Sequence, residues 1–306
     1  MKFGKVANID DVDFRLQDDP AANARIWKKM AATPQPSTRM YLGCTGWSMK
    51  EWVGKVYPKG TPAREYLTVY GEQFNTIELN TTHYRIPSPE QVRKWLDQTP
   101  ADFRFCPKVP QTISHSRDLG TGGPPLAQFS HAMDLMGERL GCCFIQLPPY
   151  FGHDRLRLLE QFLKGWPAHH PLAVEVRHES WFDQPDHFRD FLELLQQYGK
   201  AAVITDVAGR RDVAHMGVTA PVTMIRFVGN GLHPTDYQRI DAWIRRLKTW
   251  SEGGVNEVYF FPHEPDNILA PELTQYVAEQ VGKWTSFVYR GPTLINDDAG
   301  EQMSLF

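Results

Sequence analysis

The sequence lacks the features of a membrane or exported protein. No apolar run approaches the roughly 20 residues that a membrane-spanning helix requires, and the N-terminal MKFGKVANIDDVDFRL lacks the apolar segment of a signal peptide. These absences predict a cytoplasmic protein that makes no use of a membrane. They leave open every class of soluble enzyme or binding protein.

Cysteine is also scarce. The 306 residues include four, at positions 44, 106, 142 and 143, and none of them forms a Cys-x-x-Cys pair. This pattern argues against a disulfide framework and against a structural zinc site. We therefore expect reduced thiols that are mostly buried.

A strong excess of charge is absent as well. The net charge of −3 provides no general attraction for nucleic acid or anionic lipid, although a basic patch confined to one face stays compatible with it. The sequence has no P-loop, no Gly-x-Gly-x-x-Gly dinucleotide motif and no Gly-x-Ser-x-Gly nucleophile motif. The chemistry must therefore be sought in other arrangements of residues.

What the sequence does contain is a series of short apolar runs that end in polar or reactive residues. The eight runs are at 41–47, 76–80, 103–108, 143–149, 172–178, 202–206, 223–227 and 258–264. Stretches that can form helices follow them, although the helix after the sixth run is weak or missing. This alternation predicts a closed (β/α)8 TIM barrel over 41–291. A one-helix N-terminal arm (1–40), lying over the bottom or a side of the barrel, and a flexible C-terminal tail (292–306) are expected to flank it.

Alternation along the runs indicates which side chains point into the barrel. Glu78 shares a face with Asn80, and Glu175 shares one with Arg177, while the apolar residues between them are expected to face the outer helices. Polar residues within or at the ends of other runs join the expected inner set: Lys108, Gln146, Asp206, Arg226, His263 and Glu264. Because TIM-barrel active sites lie at the C-terminal ends of the strands, this set is the expected site.

Two interpretations of the inner set are open. Charges inside a barrel are costly unless they are paired, so the set can be a structural ion-pair network that fills the barrel. Alternatively it lines a pocket in which Lys108, Arg177 and Arg226 attract an anion, most commonly a phosphate. Glu78 or Glu175 would then serve as general acid or base. We favour the pocket, because the residues lie where barrel sites form.

Several motifs occur in order between Tyr41 and Phe261: GCTGWS, FNTIELNTTHYRIP, WLDQTPADFRFCPK, ISH, FIQLPP and AVEVRHESW. In them the chain resembles the YecE-like family, the domain of unknown function numbered 72. The resemblance implies a TIM barrel but no reaction. The chain departs from the family pattern after strand 7, which reads RFVGNG in place of Arg-aliphatic-His-Gly, and after strand 8, which reads FFPHEPDN in place of paired asparagines.

The resemblance and the positions of the residues together give the candidate site. The candidate catalytic residues are Glu78, Glu175, His178 and Asp206. The candidate substrate-binding residues are Asn80, Tyr84, Lys108, His115, Gln146, Arg177, Trp181 and Arg226. The aromatic members can stack on a base or a sugar ring, or only pack loops together. A divalent metal is left open, because suitable carboxylates and histidines follow several strands without any short metal-binding spacing.

The last five residues, QMSLF, resemble the Gln-x-x-Leu-Phe peptide with which bacterial replication and repair proteins bind the sliding clamp. In that interaction Leu305 and Phe306 would enter an apolar groove and Gln302 would hydrogen-bond at its rim. The alternatives are that both apolar residues fold back on the barrel or that the match is chance.

Three functions remain in view. The first is a hydrolase or lyase that acts on a phosphate-bearing substrate, linked to DNA through the tail. The second is a sugar-phosphate isomerase, lyase or hydrolase unrelated to DNA. The third is a binding protein without catalysis, so the sequence does not decide whether the protein is an enzyme.

Overall fold

The computed structural model describes residues 3–32 and 37–295. The strands are β1 Arg39–Leu42, β2 Thr76–Leu79, β3 Arg104–Pro107, β4 Cys143–Gln146, β5 Leu172–Glu175, β6 Ala201–Asp206, β7 Val222–Val228, β8 Glu257–His263 and β9 Val288–Arg290. The helices are α1 Asn23–Ala31, α2 Tyr66–Gln73, α3 Pro89–Asp97, α4 Gln111–Ser114, α5 Pro124–Asp134, α6 Leu156–Gly165, α7 Pro185–Tyr198, α8 Pro234–Glu252 and α9 Ala270–Trp284. Each predicted apolar run overlaps one strand. In this part of the chain, no helix combines the length and the apolar character needed to cross a membrane.

Backbone hydrogen bonds close the first eight strands into a parallel barrel. Strands β4 to β8 and β1 form one continuous sheet, and β2 pairs with β3. Between β3 and β4, Val109 N donates to Phe144 O at 2.8 Å, and between β1 and β2, Glu78 N donates to Cys44 O at 3.0 Å. The predicted (β/α)8 barrel is confirmed.

Strand β9 is an addition that the sequence did not predict. It lies beside β1 at the N-terminal end of the barrel, with Tyr289 opposite Met40 in parallel register. Arg290 donates to Phe74 O just before β2 and pairs with Asp102 at 2.6 Å. The chain then stays against the barrel through residue 295, the last described position, whose backbone N donates to Lys55 O at 2.8 Å.

The N-terminal arm replaces a helix of the barrel. The connection between β6 and β7 contains no helix, as the sequence predicted, and α1 packs in that place. Asn23 Nδ2 donates to Met216 O at 2.8 Å, and Asn23 Oδ1 accepts from Val218 N at 2.9 Å. Ile26 and Met30 of α1 are buried in one core cluster with α8. Helix α1 of the arm therefore lies over a side, one of the two expected positions.

The strands bury apolar side chains outward against the helices and divide the interior into two parts. Ile77, Val174 and Ile225 belong to the outer clusters, as alternation predicted. The lower interior is filled by a smaller apolar cluster that includes Tyr41, Cys106, Phe144, Met224, Tyr259 and Phe261. All four cysteines are buried and free, as expected. The polar residues lie above this cluster, at the C-terminal ends of the strands.

Candidate functional site

A network of buried charges fills the upper interior, with Arg226 at its centre. Its Nε and Nη2 donate to the two oxygens of Glu78 at 2.9 Å each, and its Nη1 donates to Glu175 Oε2 at 2.8 Å. None of the three residues is more than 1% exposed. The fork of a guanidinium can satisfy two carboxylates at once, which an ammonium cannot do with fixed geometry.

Further donors complete the pairing of the two carboxylates. Arg177 Nε donates to Glu175 Oε1 at 2.6 Å, while Glu78 accepts from Asn80 Nδ2 at 2.9 Å and from His263 Nε2 at 3.0 Å. Residues from four strands or strand ends are thus joined. We call this set, together with the neighbouring pair Lys108 and Gln146, the mouth ring: Glu78, Asn80, Lys108, Gln146, Glu175, Arg177, Arg226 and His263.

The pairing keeps both carboxylates ionised. Burial would raise the pKa of Glu78, but Arg226 and His263 hold it well below its usual value. Burial also opposes ionisation of Glu175, but Arg177 and Arg226 lower its pKa to about 2. Burial lowers the pKa of His263, so this imidazole is neutral and its Nε2–H donates to Glu78. At neutral pH neither carboxylate has a proton to give, and this part of the ring is an ion-pair network.

Lys108 differs from the other cations of the ring. Its Nζ donates to Gln146 Oε1 at 3.1 Å, and among the described residues no carboxylate forms a salt bridge with it within 4.0 Å. Burial and the nearby Arg226 lower the pKa of Lys108 to about 8. Lys108 is only 9% exposed, so a buried positive charge remains that no carboxylate of the described residues directly neutralises.

The rim beside Lys108 carries aromatic and imidazole groups. The rings of His83 and His115 lie 5.6 Å apart, and Tyr84 packs edge-on against His83 at 5.3 Å. Burial and the charge of Lys108 lower the pKa of His115. Tyr84 is 75% exposed. The structure thus brings two predicted binding residues, Tyr84 and His115, to the Lys108 side of the mouth.

Asp206 does not join the ring. Its side chain faces outward to α8, where Trp243 Nε1 donates to it at 2.7 Å and Arg239 pairs with it at 2.9 Å. Arg211 also pairs with it. The expectation that Asp206 points into the upper interior is wrong, because Thr205 occupies the inward position at the end of β6.

His178 and Trp181 also lie outside the ring, in the turn that follows β5. His178 Nδ1 accepts from Ser180 N at 3.1 Å and so caps the short 3-10 turn Glu179–Trp181. Trp181 is 0% exposed, and its Nε1 donates to Phe151 O at 2.7 Å. Trp181 is therefore a core residue, and its ring has no face available for stacking on a ligand.

A cluster with metal-ligand geometry lies at the opposite end of the barrel. Within 3–32 and 37–295, three side chains place ligand atoms close enough for one ion: Asp134, His169 and His170. Both histidine Nε2 atoms lie within 2.9 Å of Asp134 Oδ1. This cluster precedes β5, whereas the ring lies at the C-terminal ends of the strands. A metal ion bound by the cluster would therefore lie outside the mouth.

Two parts of the site were missed or undervalued from sequence. His263 was one of several histidines after strands, and only its pairing with Glu78 distinguishes it. The N-terminal segment 3–10 was not expected at the mouth at all. Phe3 stacks on Arg177, with the guanidinium carbon 4.2 Å from the ring centre, and Gly209 N donates to Gly4 O at 2.9 Å. This segment covers one side of the mouth.

Fold and site define a class: a (β/α)8 barrel whose mouth holds a buried ion-pair ring with one additional ammonium. Within that class, the chain belongs to the family described as "Protein of unknown function DUF72", whose model matches residues 41–294.

The relatives match the chain over different lengths. The UPF0759 protein YecE of Escherichia coli (strain K12) is 32% identical over 262 residues, which cover 80% of this chain and 93% of that protein. The UPF0759 protein YunF of Bacillus subtilis (strain 168) is 28% identical over 160 residues, 48% of this chain and 53% of that protein. The crystal structure of a DUF72 family protein from Enterococcus faecalis V583 superposes with a TM-score of 0.64 at 21% identity, covering 81% of this chain and 99% of that one. That likeness supports the fold.

Proposed function

We propose that the protein binds a small phosphate-bearing ligand at the barrel mouth and acts on it as a hydrolase or lyase. The observation that carries the proposal is the buried ammonium of Lys108, which has Gln146 as its hydrogen-bond acceptor and no carboxylate partner among the described residues. A bound anion would supply the missing negative charge. Phosphate oxygens accept charge-assisted hydrogen bonds from ammonium groups readily.

The ring supports this role through its charge balance. Glu78 and Glu175 are opposed by Arg177 and Arg226, so Lys108 adds one positive charge to a set that is otherwise neutral. In a buried site that charge acts over a longer distance than it would in water. The surplus favours anions over cations or neutral molecules.

The pKa of Lys108 favours an enzyme over a binding protein without catalysis. A general acid works best when its pKa lies near the working pH, and the pKa of Lys108 is about 8. The two glutamates are too acidic for that role. We therefore assign proton transfer to Lys108, and the orientation of Lys108 and the ligand to the ring.

Calorimetric titration of the full chain with inorganic phosphate tests the anion site. Lys108→Met removes the charge but keeps most of the side-chain volume, and it should weaken phosphate binding at least about tenfold. Lys164→Met, which removes an exposed lysine paired with Glu160, is the matched control and should bind as the wild type does. Equal affinity in both variants would refute the proposed site.

The C-terminal QMSLF peptide motivates a separate proposal, docking on a bacterial sliding clamp in the cytoplasm. Gln302, Leu305 and Phe306 lie outside the described residues, so the sequence match alone supports it. The double variant Leu305→Ala/Phe306→Ala should abolish capture of the full chain by immobilised clamp, whereas Ser304→Ala should not. If the protein docks on the clamp, the ligand of the barrel mouth is a nucleotide or damaged DNA. If capture does not depend on these residues, a sugar phosphate unrelated to DNA is the better candidate.

A further inference from the structure

A cavity of about 450 Å³ adjoins the mouth ring on the side of β7 and β8. One wall is the N-terminal segment 3–10, and the other wall comes from the loops after β7 and β8, including Gly229, Asn230, His233, His263 and Glu264. His263 belongs to both the cavity lining and the ring, so the two adjoin. The volume lies within the roughly 300–1,000 Å³ of typical small-molecule sites.

Glu264 is the polar group of this cavity whose hydrogen bonding is incomplete. It is 3% exposed. Its Oε2 accepts from Gly231 N at 2.8 Å, but its Oε1 has no partner among the described residues. Burial raises the pKa of Glu264 to about 7. A buried carboxyl oxygen without a donor is costly, and a ligand that supplies the donor would remove that cost.

The surrounding backbone is shaped to hold this carboxyl group. A Cβ at Gly229 would lie 2.2 Å from Glu264 Oε1, so only glycine leaves room for it. The next residue, Asn230, is fixed by its N and Nδ2, which donate to Asp236 at 2.8 and 2.9 Å. The carboxyl group of Glu264 is thus positioned before any ligand arrives, which lowers the entropic cost of binding.

We propose that this cavity binds the uncharged, hydroxyl-bearing part of the ligand, with the carboxyl group of Glu264 accepting a hydrogen bond from one hydroxyl. The lining includes apolar residues and amide and imidazole groups: Phe3, Val6, Pro265, Asn8, Asn230 and His233. The charged residues Lys5 and Asp10 lie at the same wall as Phe3. Such a surface suits a sugar, whose ring faces are apolar and whose edges carry hydroxyls. The ligand class is a sugar phosphate. The inference rests on the proposed function for the phosphate group of the ligand, but not for its sugar.

The experiment titrates the full chain with three probes: inorganic phosphate, D-ribose 5-phosphate and D-ribose. In the wild type, ribose 5-phosphate should bind at least about tenfold more tightly than phosphate, because it gains the hydrogen bond to Glu264. Glu264→Met should reduce that preference to near one and leave phosphate affinity unchanged. Gly229→Ala, which displaces the carboxyl group without removing it, should do the same and serves if Glu264→Met fails to fold. Glu252→Met, an exposed site at the end of α8, is the control.

The outcomes separate the two proposals. If phosphate binds but ribose 5-phosphate binds no better, or if the preference survives in the folded Glu264→Met and Gly229→Ala variants, the sugar site is refuted while the anion site stands. If D-ribose binds in a Glu264-dependent manner but phosphate does not, the sugar site stands and the anion site falls. If neither ribose nor ribose 5-phosphate binds, the sugar site is refuted.

Discussion

Arg226 on β7 and Glu78 on β2 are joined by two hydrogen bonds of 2.9 Å across the interior of the barrel. Their strands are not neighbours, since β8 and β1 lie between them. A buried two-point ion pair between distant strands fixes the inner surface of the mouth. It also keeps Glu78 ionised, which moves the expected proton-transfer role away from the glutamates and towards Lys108.

Removing Arg226 should destabilise the whole barrel. Arg226→Met leaves Glu78 and Glu175 buried without their shared partner, which should cost about 3–5 kcal/mol of the free energy of unfolding. Urea denaturation at pH 7 measures it. The control Arg189→Met disrupts the exposed pair with Asp186 and should cost less than about 1 kcal/mol. A loss no larger than that of the control would show that the pair does not stabilise the fold.

Anion binding should depend on pH through Lys108. Since its pKa is about 8 in the free protein, the ammonium is charged below that pH and loses its proton above it. Affinity for sulfate, whose own charge is constant in this range, should be steady below pH 8. It should then fall by roughly tenfold per pH unit between the pKa of the free protein and the higher pKa of the anion-bound state. Lys108→Arg stays charged and should show no such fall. A flat wild-type profile up to pH 10 would contradict the assignment.

Acid should destabilise the protein in a way that depends on Glu175. Its pKa falls from 4.5 to about 2 on folding, so its contribution to stability is complete above pH 4.5 and is lost as the pH falls through 2. The whole contribution is on the order of 3 kcal/mol. Urea midpoints at pH 6 and pH 3 should differ less in Glu175→Gln than in the wild type. The same difference in both proteins would mean that other groups dominate acid unfolding.

The attachment of the N-terminal arm to the barrel should depend on Asn23. Asn23→Ala leaves Met216 O and Val218 N without their partner, which should cost roughly 1–3 kcal/mol and speed amide hydrogen exchange in α1. Lys28→Ala, on the exposed face of the same helix, should leave exchange nearly unchanged. Equal protection of α1 in both variants would show that apolar packing alone holds the arm.

Alternation predicted the ring where each strand has one clearly apolar face. In β2, β5 and β7 the apolar residues Ile77, Val174 and Ile225 face outward, so Glu78, Glu175 and Arg226 must point inward. In β6 the sequence AAVITD has two faces of similar polarity, and for this reason the prediction that Asp206 points inward was wrong. The same ambiguity applies to His263 in β8.

Contacts between distant parts of the chain could not be predicted from the sequence. Arg226 and Glu78 are 148 residues apart, and no spacing indicates that they meet. The contact of Phe3 with Arg177 likewise depends on the path of the arm along the barrel, which local patterns do not specify. The barrel could be predicted because it repeats one local unit. An ion-pair network inside it was one of the two open interpretations, but which charges pair with each other could not be predicted.

The central claim is that Lys108 holds an anion inside the mouth ring. A crystal structure of the full chain with ribose 5-phosphate, at a concentration that saturates the calorimetric titration, tests it most directly. The account predicts a phosphate oxygen within about 3 Å of Lys108 Nζ. An anion bound only outside the ring, with Lys108 still paired to Gln146 alone, would contradict it.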